Sequence, residues 1–568
     1  MKLSTIDFRP ALFTAIKTYN RKKFVADLMS GIIVGIVAMP LAIAFGIASG
    51  VTPQQGLITA IIGGFIVSFL GGSNVQIGGP TGAFIIIVYG IIQTYGFEGL
   101  AIATAMAGVM LLLMGLFRLG TVIRYIPYPI VIGFTGGIAV TIFTSQIKDF
   151  LGINIEQMPA DFISKWNVYF THLTDINIAA LLTGVISLAI ITVMPKITAR
   201  IPGSLVAIIV VTAAVYILRN TFGLTGIETI GDRFIISPEI KAPEGFTINM
   251  DVINSLLAPA FTIAMLGAIE SLLSATVADG VTGGRHNSNT ELIAQGAANI
   301  VSPLFGGIPV TGAIARTMTN INNGGKTPVA GIIHAAVLLL ILFLLAPLAV
   351  HIPMSCLAAI LIVVSYNMSG WRIIRSMSAG RNAEVAVLWV TLLLTVVFNL
   401  NIAIEIGMLM AVILFIRRVT DNVHVSVFRK ELDLEDGERQ VSTLAQDHLS
   451  LNRGVEVYEI DGPFFFGVAN KFDEQMRILG EKSIVRILRM RNVPFIDTTG
   501  LHNLEIFLKS SNKEGIEVIL SGVNPPVYET LETNGITKYI KEGNICENIR
   551  DAVARANTIA SAAAKQGK

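Results

Sequence analysis

Long apolar stretches, separated by short polar connections, fill the first 418 residues and restrict the folds that this chain can adopt. A helix needs about 20 mostly apolar residues to cross a bilayer. Twelve stretches approach that length: 28–48, 55–70, 99–117, 126–147, 177–194, 201–218, 254–276, 289–305, 328–350, 353–368, 383–398 and 401–416. Two shorter apolar segments, 80–92 and 311–321, bring the predicted membrane-spanning segments to fourteen. We therefore predict an α-helical polytopic membrane unit.

The composition favours a membrane protein over other classes. Only 14% of the residues are charged, whereas soluble domains carry about 25%. A soluble enzyme of this composition would lack the polar residues needed to cover its core. The net charge of +2 gives no signal for a nucleic-acid partner. The two cysteines, Cys356 and Cys546, are too few for a disulfide framework, and the sequence has no Cys/His spacing typical of a metal site.

Basic residues between the spans predict the orientation. Lys and Arg are enriched in cytoplasmic loops of membrane proteins. A cytoplasmic N-terminus places nine of them in cytoplasmic connections, and the longer outside connections then hold only five. The nine are Arg118, Arg124, Lys196, Arg200, Arg285, Lys326, Arg372, Arg375 and Arg381. With an even number of spans, both termini are predicted to be cytoplasmic.

An internal repeat divides the membrane unit into two halves, at about 25–218 and 252–418. Residues 66–72 are similar to residues 300–307, and each stretch is followed by Gly- or Pro-rich chain and then by a short apolar segment. Seven spans per half would insert the second half upside down, which is the inverted repeat of secondary transporters. Short, interrupted segments at matching positions mark the binding site in such proteins.

A helix that begins in mid-membrane has a clear physical consequence. Its first N–H groups are unpaired and carry the positive end of the helix dipole, so two such N-termini form an anion site without charged side chains. Gly79, Gly82 and Gly312 keep Cβ atoms away from these amides, and Pro80 suits a helix start. The alternative is that these Gly- and Pro-rich stretches only allow close packing between spans. The presence of two such segments at matching repeat positions favours a binding site.

Glu270 is predicted to be a lone carboxylate in mid-membrane. Such a group costs at least about 2.5 kcal/mol to insert, so it should have a function or a partner. It can carry H⁺, or hold Na⁺ with the Ser274 hydroxyl on the same helix face; a structural ion pair is the alternative. Arg316 either adds positive potential to the anion site or pairs with Glu270. His334 is predicted to be a helix-contact residue.

The polar remainder of the chain predicts a separate domain. Residues 419–452 are predicted to be a linker, 453–557 a small α/β domain and 558–568 a disordered tail, whereas 1–24 precede the membrane unit of 25–418. Strands are predicted at 455–460, 464–466, 483–490 and 516–521, and helices at 471–480, 499–510 and 526–534. Asp497 or Thr498 is a candidate N-cap, and a phosphorylated threonine, Thr498 or Thr499, is the functional alternative.

These motifs resemble the SulP family of anion transporters, which includes sulfate permeases, bicarbonate transporters, bacterial dicarboxylate transporters and prestin. The matching stretches are 27–45, 79–80, 267–273, 312–317 and 324–327, and the tail resembles a STAS domain through 495–501. The resemblance implies a 7+7 inverted repeat shared with uracil-type transporters, with core and gate domains, an elevator-like movement and a homodimer. It also implies a bacterial inner-membrane location and a phosphorylatable position at Thr499.

Carried onto this sequence, the resemblance places the substrate between two broken helices. The implied substrate-binding residues are Phe45, Thr81, Gly82, Ala83, Gly312, Ala313, Ile314, Ala315 and Arg316, and Glu270 matches the acidic position of cation-coupled members. Two positions depart from the family pattern. Leu41 follows Pro40 where many members have Gln, and Ala315 stands where Ser is frequent. Both departures shift recognition from side chains to backbone amides.

We therefore expect a non-enzymatic secondary transporter that couples sulfate, bicarbonate or a C4-dicarboxylate to H⁺ or Na⁺. An exchanger or an uncoupled anion channel is the main alternative, and an anion sensor that signals through the tail is another. No resident cofactor is predicted. The expected partners are the anion, the lipid bilayer, a second copy of the chain and a cytoplasmic regulator of the STAS domain.

Overall fold

A computed structural model describes residues 8–121, 126–155, 158–159, 161–198, 202–223, 226–235, 249–380, 383–398, 400–428, 451–468 and 483–565. The chain forms two compact units, Met1–Met410 and Ala411–Lys568. The first contains the apolar spans as far as the N-terminal half of the last one, and the second contains the rest of that helix and the α/β domain.

The first half of the membrane unit is helical at every predicted span. Its helices are α1 (Ala11–Ile16), α2 (Arg21–Ala48), α3 (Pro53–Ile58), α4 (Gly64–Leu70), α5 (Ile85–Leu116), α6 (Tyr128–Leu151), α7 (Phe162–Thr171), α8 (Ile178–Ile197) and α9 (Gly203–Phe222). A π-helical turn, Thr59–Gly63, joins α3 to α4, and a 3₁₀ turn, Gly82–Phe84, precedes α5. The two-residue strand β1 (Gly78–Gly79) lies between them.

The second half repeats this order of elements. It contains α10 (Ile230–Arg233), α11 (Met250–Thr282), α12 (Ser288–Leu304), β2 (Thr311–Gly312), α13 (Ile314–Asn322), α14 (Val329–Ala349), α15 (Met354–Met368), α16 (Trp371–Ser378), α17 (Ala383–Val397) and α18 (Leu400–Asn422). In each half, a helix is followed by a short strand and then by a helix that begins directly after it.

The helices fit a membrane protein, as the sequence predicted. In the described part of the chain, eight are long and apolar enough to cross a bilayer, and two more apolar helices are shorter. Gly96, with φ 69° and ψ −174°, bends α5 between the predicted segments 80–92 and 99–117. Such backbone angles favour glycine, because a Cβ atom would be strained there. The total of fourteen crossings stays a prediction.

Short polar side chains begin many of the long helices. Each of them accepts a hydrogen bond from a first-turn N–H: Asn20 from Lys23, Thr52 from Gln55, Asn177 from Ala179 and Ala180, Asn249 from Val252, and Asn287 from Asn289 and Thr290. Such caps satisfy amides that a helix start leaves unpaired. No side-chain cap is present at Thr81 or Ala313, which precede the two helices that follow β1 and β2.

The membrane helices pack in two groups. In one, α5 packs against α11 and α12, and α2 packs against α14. In the other, α6 packs against α15 and α17, and α8 packs against α9 and α15. We call these the first and second helix groups; they match the division into core and gate that the resemblance implies.

The two repeat motifs meet in the strand pair β1–β2. These strands are antiparallel, with Gly78 opposite Gly312 and Gly79 opposite Thr311. Because the pair is so short, both of the uncapped helices begin within three residues of it. The predicted broken helices therefore lie next to each other.

The second unit is built on a five-stranded sheet with the order β3–β4–β5–β6–β7. Its strands are β3 (His424–Phe428), β4 (Val455–Asp461), β5 (Val485–Asn492), β6 (Glu517–Ser521) and β7 (Ile545–Cys546), and only β3 is antiparallel to its neighbour. Its helices are α19 (Thr498–Lys513), α20 (Pro525–Thr533) and α21 (Ile549–Lys565). Adjacent strand residues enter opposite cores: Leu488 packs with Leu504, and Ile487 packs with Val553.

Three sequence predictions for this unit need correction. The predicted linker contains β3, because Val425 and Val427 alternate with polar residues and pair with β4. The predicted disordered tail is helical through Lys565, since Ala556 and Ala560 are buried against the sheet. Residues 464–466 make a single bridge, Phe464 to Ile496, instead of a strand. The predicted helix 471–480 lies outside the described residues.

Candidate functional site

The first broken helix begins with free amides. Thr81 is extended, and the Phe84 N–H donates to its carbonyl at 3.2 Å. The N–H groups of Gly82 and Ala83 find no acceptor among the described residues. The Thr81 Oγ1 is also buried without a hydrogen-bond partner in the described part of the chain. Three polar groups at this helix start are therefore available to a ligand.

In the second broken helix, three of the five predicted residues have free amides. The Gly312 N–H donates to Ser271 Oγ at 3.0 Å, and the Ala313 N–H donates to the Ile77 carbonyl at 2.9 Å. The next three N–H groups, those of Ile314, Ala315 and Arg316, have no acceptor within the described residues. The free amides thus begin at Ile314, because neighbouring segments already use the two before it.

Arg316 brings an unpaired positive charge to this place. Its side chain is 2% exposed, and Nη1 and Nη2 have no hydrogen-bond partner in the described structure. The guanidinium lies against Gly79, where an added Cβ would overlap Nη1. No ion pair joins it to Glu270 among the described residues. Of the two roles considered, the geometry therefore favours positive potential at the helix ends.

Apolar side chains of the second helix group cover the first helix start. A Cβ placed on Gly82 would lie 3.0 Å from Sδ of Met368 in α15 and 3.1 Å from Cδ1 of Ile142 in α6. Sequence reasoning missed both, because an apolar residue inside a long apolar span carries no distinguishing signal. Phe45 is buried in α2, and its contact with a substrate stays a prediction.

Glu270 is a carboxylate without a partner. Its side chain is 7% exposed in the middle of α11, and it makes no hydrogen bond or ion pair within the described part of the chain. The described residues contain no cluster of three His, Cys, Asp or Glu side chains that could hold a metal. A single unpaired carboxylate fits a proton or one monovalent cation better than a multivalent metal.

Serine hydroxyls connect the Glu270 helix to both broken helices. Ser271 Oγ lies 2.8 Å from Thr311 Oγ1 and accepts the Gly312 N–H. Ser274 Oγ donates to Thr317 Oγ1 at 3.3 Å, and the same Thr317 oxygen accepts the Ile77 N–H at 3.1 Å. The predicted cation partner Ser274 therefore contacts the second broken helix and, through Thr317, the segment that leads into the first.

Two further motifs meet at the start of α14. Asp27 of α2 accepts the N–H groups of Lys326 and Thr327 at 2.7 and 3.1 Å, and the Thr327 hydroxyl at 2.6 Å. Ser30 donates to Asn320 at 2.7 Å. These bonds fix α2 of the first repeat to α13 of the second and to the chain that follows α13.

The threonines of the second unit lie at the start of α19. Asp497 is the N-cap and accepts the Gly500 N–H at 2.7 Å, so the capping role belongs to this residue. Its second oxygen accepts the Phe466 N–H at 3.2 Å. Thr498 and Thr499 are exposed in the first turn, where a phosphate would meet the positive end of the helix.

Two helices that begin at a central strand pair, each in one half of a repeated membrane unit, are the arrangement of the broken helices found in secondary transporters. Comparison with known proteins identifies its family. Residues 24–391 match the Sulfate permease family and residues 449–554 match the STAS domain. The chain belongs to the Sulfate permease family, as the resemblance predicted.

Relatives agree with this assignment, and a solved structure agrees with the fold. YvdB of Bacillus subtilis (strain 168), whose name provisionally assigns it to sulfate transport, is 40% identical over 92% of this chain and 95% of its own length. The bicarbonate transporter BicA of Picosynechococcus sp. is 29% identical over 89% of this chain and 90% of its own length. The inward-facing structure of the murine Slc26a9 anion transporter aligns with a TM-score of 0.86 and 19% identity over 98% of this chain and 95% of that one, which supports the fold.

Proposed function

We propose that this protein is a secondary active transporter of small oxyanions. The observation that carries the proposal is the set of five free N–H groups at two adjoining helix starts beside the unpaired guanidinium of Arg316. Helix N-termini and a guanidinium both bind oxygen anions. Sulfate, bicarbonate and C4-dicarboxylates all present such oxygens, and relatives named for sulfate and bicarbonate support this range.

Coupling to H⁺ or Na⁺ at Glu270 is the second part of the proposal. A cation that neutralises this buried carboxylate binds one residue from Ser271 and one helical turn from Ser274. Those hydroxyls hold the segments that lead into both broken helices. Cation binding on α11 is therefore mechanically linked to the anion amides, although the two ions occupy different groups.

The proposed movement is an elevator-like displacement of the first helix group against the second. Met368 and Ile142 contact the helix start from the second group, so sliding between the groups opens the site to one side or the other. A homodimer in the bacterial inner membrane, with both termini cytoplasmic, completes the proposal. Phosphorylation of the exposed Thr498 or Thr499, or a regulator bound to the STAS domain, is the proposed control.

Uptake into proteoliposomes tests the proposal. Purified full-length protein is reconstituted, and uptake of radiolabelled sulfate, bicarbonate and succinate is measured with an imposed pH gradient, an Na⁺ gradient or neither, at a clamped membrane potential. We expect concentrative uptake of at least one anion that requires one of the two gradients. Dependence on internal anion instead indicates exchange, and equilibration without accumulation indicates a channel. A complete lack of flux contradicts transport.

The role of the backbone predicts a contrast between two substitutions. A Cβ at Gly312 would overlap Nε2 of Gln76, so Gly312→Val should displace the start of the second broken helix and abolish anion binding. Thr81→Val keeps size and backbone and should cost at most about 1.5 kcal/mol, the scale of one neutral hydrogen bond. Calorimetry on purified, membrane-inserted variants measures both. Normal binding by Gly312→Val together with none by Thr81→Val would mean that side chains, not amides, recognise the anion.

A further inference from the structure

Helix α12 carries a stripe of four fully buried polar side chains inside the membrane unit: Glu291, Gln295, Asn299 and Ser302. Their spacing of four, four and three residues places them on one face of the helix. Glu291, in the first turn of α12, is a further buried carboxylate of the membrane unit besides Asp27 and Glu270. A buried polar group is costly unless it is hydrogen-bonded, so the partners of this stripe indicate its role.

The C-terminal part of the stripe holds the segment that leads into the second broken helix. Asn299 accepts the Val310 N–H and donates to the Val310 carbonyl, both at 2.8 Å. Ser302 donates to the Ile308 carbonyl at 3.0 Å. Val310 immediately precedes β2. The Asn299 carboxamide therefore satisfies both backbone groups of the residue just before the strand.

The N-terminal part of the stripe holds the segment that leads into the first broken helix. Glu291 accepts the Gly72 N–H at 2.9 Å and the Gln76 Nε2 at 3.0 Å, and Gln295 donates to the same carboxylate at 3.0 Å. The Gln76 amide in turn occupies the space beside Gly312 that a Cβ would need. Glu291 therefore acts on both leading segments, directly on the first and through Gln76 on the second.

The corresponding helices of the first repeat do not provide the same support. On the turn between α3 and α4, Thr59 Oγ1 accepts the Ile308 N–H at 2.8 Å. Its neighbours Gly63 and Gly64 offer no side chain, and Val310 packs directly over Gly63. Irregular backbone at membrane depth must have its polar groups satisfied within the protein, and here α12 contributes the carboxylate and carboxamide groups that do so.

We infer that the α12 stripe is the positioning element of the anion site, and that Glu291 and Asn299 fix the separation of the two broken-helix starts. This inference rests on the proposed anion transport. Neither side chain contacts the free amides; each orients the segment that delivers them. The stripe therefore governs how well five amides converge on one anion, and hence affinity more than the maximal transport rate.

Four variants of the full-length protein test this role. Glu291→Leu removes the acceptor of the Gly72 N–H. Asn299→Asp still accepts the Val310 N–H, but it places an oxygen instead of the NH₂ group against the Val310 carbonyl and so loses that bond. Glu291→Gln is the conservative variant, because its oxygen still accepts from Gly72 and the two glutamine amides can rotate to meet its NH₂. Thr104→Val is the matched control, since this buried hydroxyl of α5 donates to Leu100 of its own helix at 2.7 Å.

We expect Glu291→Leu and Asn299→Asp to weaken binding at least about tenfold, the effect of leaving a buried polar pair unmade. The probe is whichever of sulfate, bicarbonate and succinate the unmutated protein binds by calorimetry. The half-saturation concentration for uptake should rise in parallel, with the maximal rate preserved within about twofold. Glu291→Gln should restore most of the affinity, and Thr104→Val should leave it unchanged. A lowered melting temperature with unchanged affinity would overturn the inference and leave the stripe a structural feature.

Hydrogen exchange provides a readout that needs no ligand. Glu291→Leu should accelerate amide exchange in residues 71–79, and Asn299→Asp should accelerate it in residues 305–313, while the interior of α5 stays protected. If the unmutated protein binds none of the three anions, the proposed function fails, and exchange alone decides whether the stripe positions these two segments. Unchanged exchange in both segments contradicts the positioning role. If one variant is too unstable to purify, unchanged exchange in the segment tested by the other variant contradicts it.

Discussion

Replacing Glu270 by Gln is expected to abolish cation-driven accumulation of the anion in proteoliposomes. The carboxamide keeps the size of the side chain but neither takes up H⁺ nor neutralises Na⁺, so the group proposed to carry the coupling ion is lost. Anion affinity should stay within about threefold of the unmutated value, less than many single hydrogen bonds contribute, because the free amides belong to other helices. Uptake under imposed gradients and calorimetry measure the two quantities separately.

Glu405→Gln is the matched control for this experiment. Glu405 is an exposed carboxylate of α18, so its substitution removes the same charge without touching α11 and should leave coupled uptake intact. Full concentrative uptake by Glu270→Gln would refute coupling at this residue. Loss of both uptake and binding would instead assign Glu270 to the architecture of the anion site.

Substitution of Arg316 by Gln is expected to weaken anion binding by about tenfold to a hundredfold, the effect of losing a hydrogen bond to a charged group. The same variant should melt at a higher temperature than the unmutated protein. A guanidinium that is 2% exposed with two unpaired nitrogens destabilises the folded state unless an anion compensates its charge. Calorimetric affinity and thermal unfolding in detergent, with and without anion, test both expectations.

Arg316→Lys separates charge from shape. The ammonium keeps the positive charge but lacks the planar fork that binds two oxygens, so its affinity should fall between those of Arg and Gln. A variant Arg316→Gln with lowered stability and nearly normal affinity would identify the arginine as structural. The helix starts would then supply the positive potential by themselves.

The membrane unit could be predicted from sequence because the relevant physics is local. A bilayer requires a fixed length of apolar helix, so composition alone located the spans that α2, α6 and α11 occupy. The broken segments could be found for the same reason. Gly- and Pro-rich interruptions at matching repeat positions predicted where the broken helices begin, and β1 and β2 lie at those positions. Glu270 was recognisable because a carboxylate in an apolar run has no local partner.

Secondary structure near the domain junction was less accessible from sequence. The segment containing β3 resembles a linker, because five residues with two valines are too short a pattern to stand out. Pairing with β4 makes it a strand. Likewise, the alanines of α21 become a helix face only when the sheet covers them.

The proposed anion site was only partly determined by sequence. The sequence predicted which two helix starts matter, but the tertiary structure decided which amides are free, because Ser271 and the Ile77 carbonyl take up those of Gly312 and Ala313. It also decided the long-range contacts of α12 and α13, since Glu291 binds Gly72 across 219 positions of the chain and Thr317 binds Ile77 across 240. Apolar length and helix breaks are properties of neighbouring residues, whereas a hydrogen bond between distant residues exists only once the two repeats have packed together.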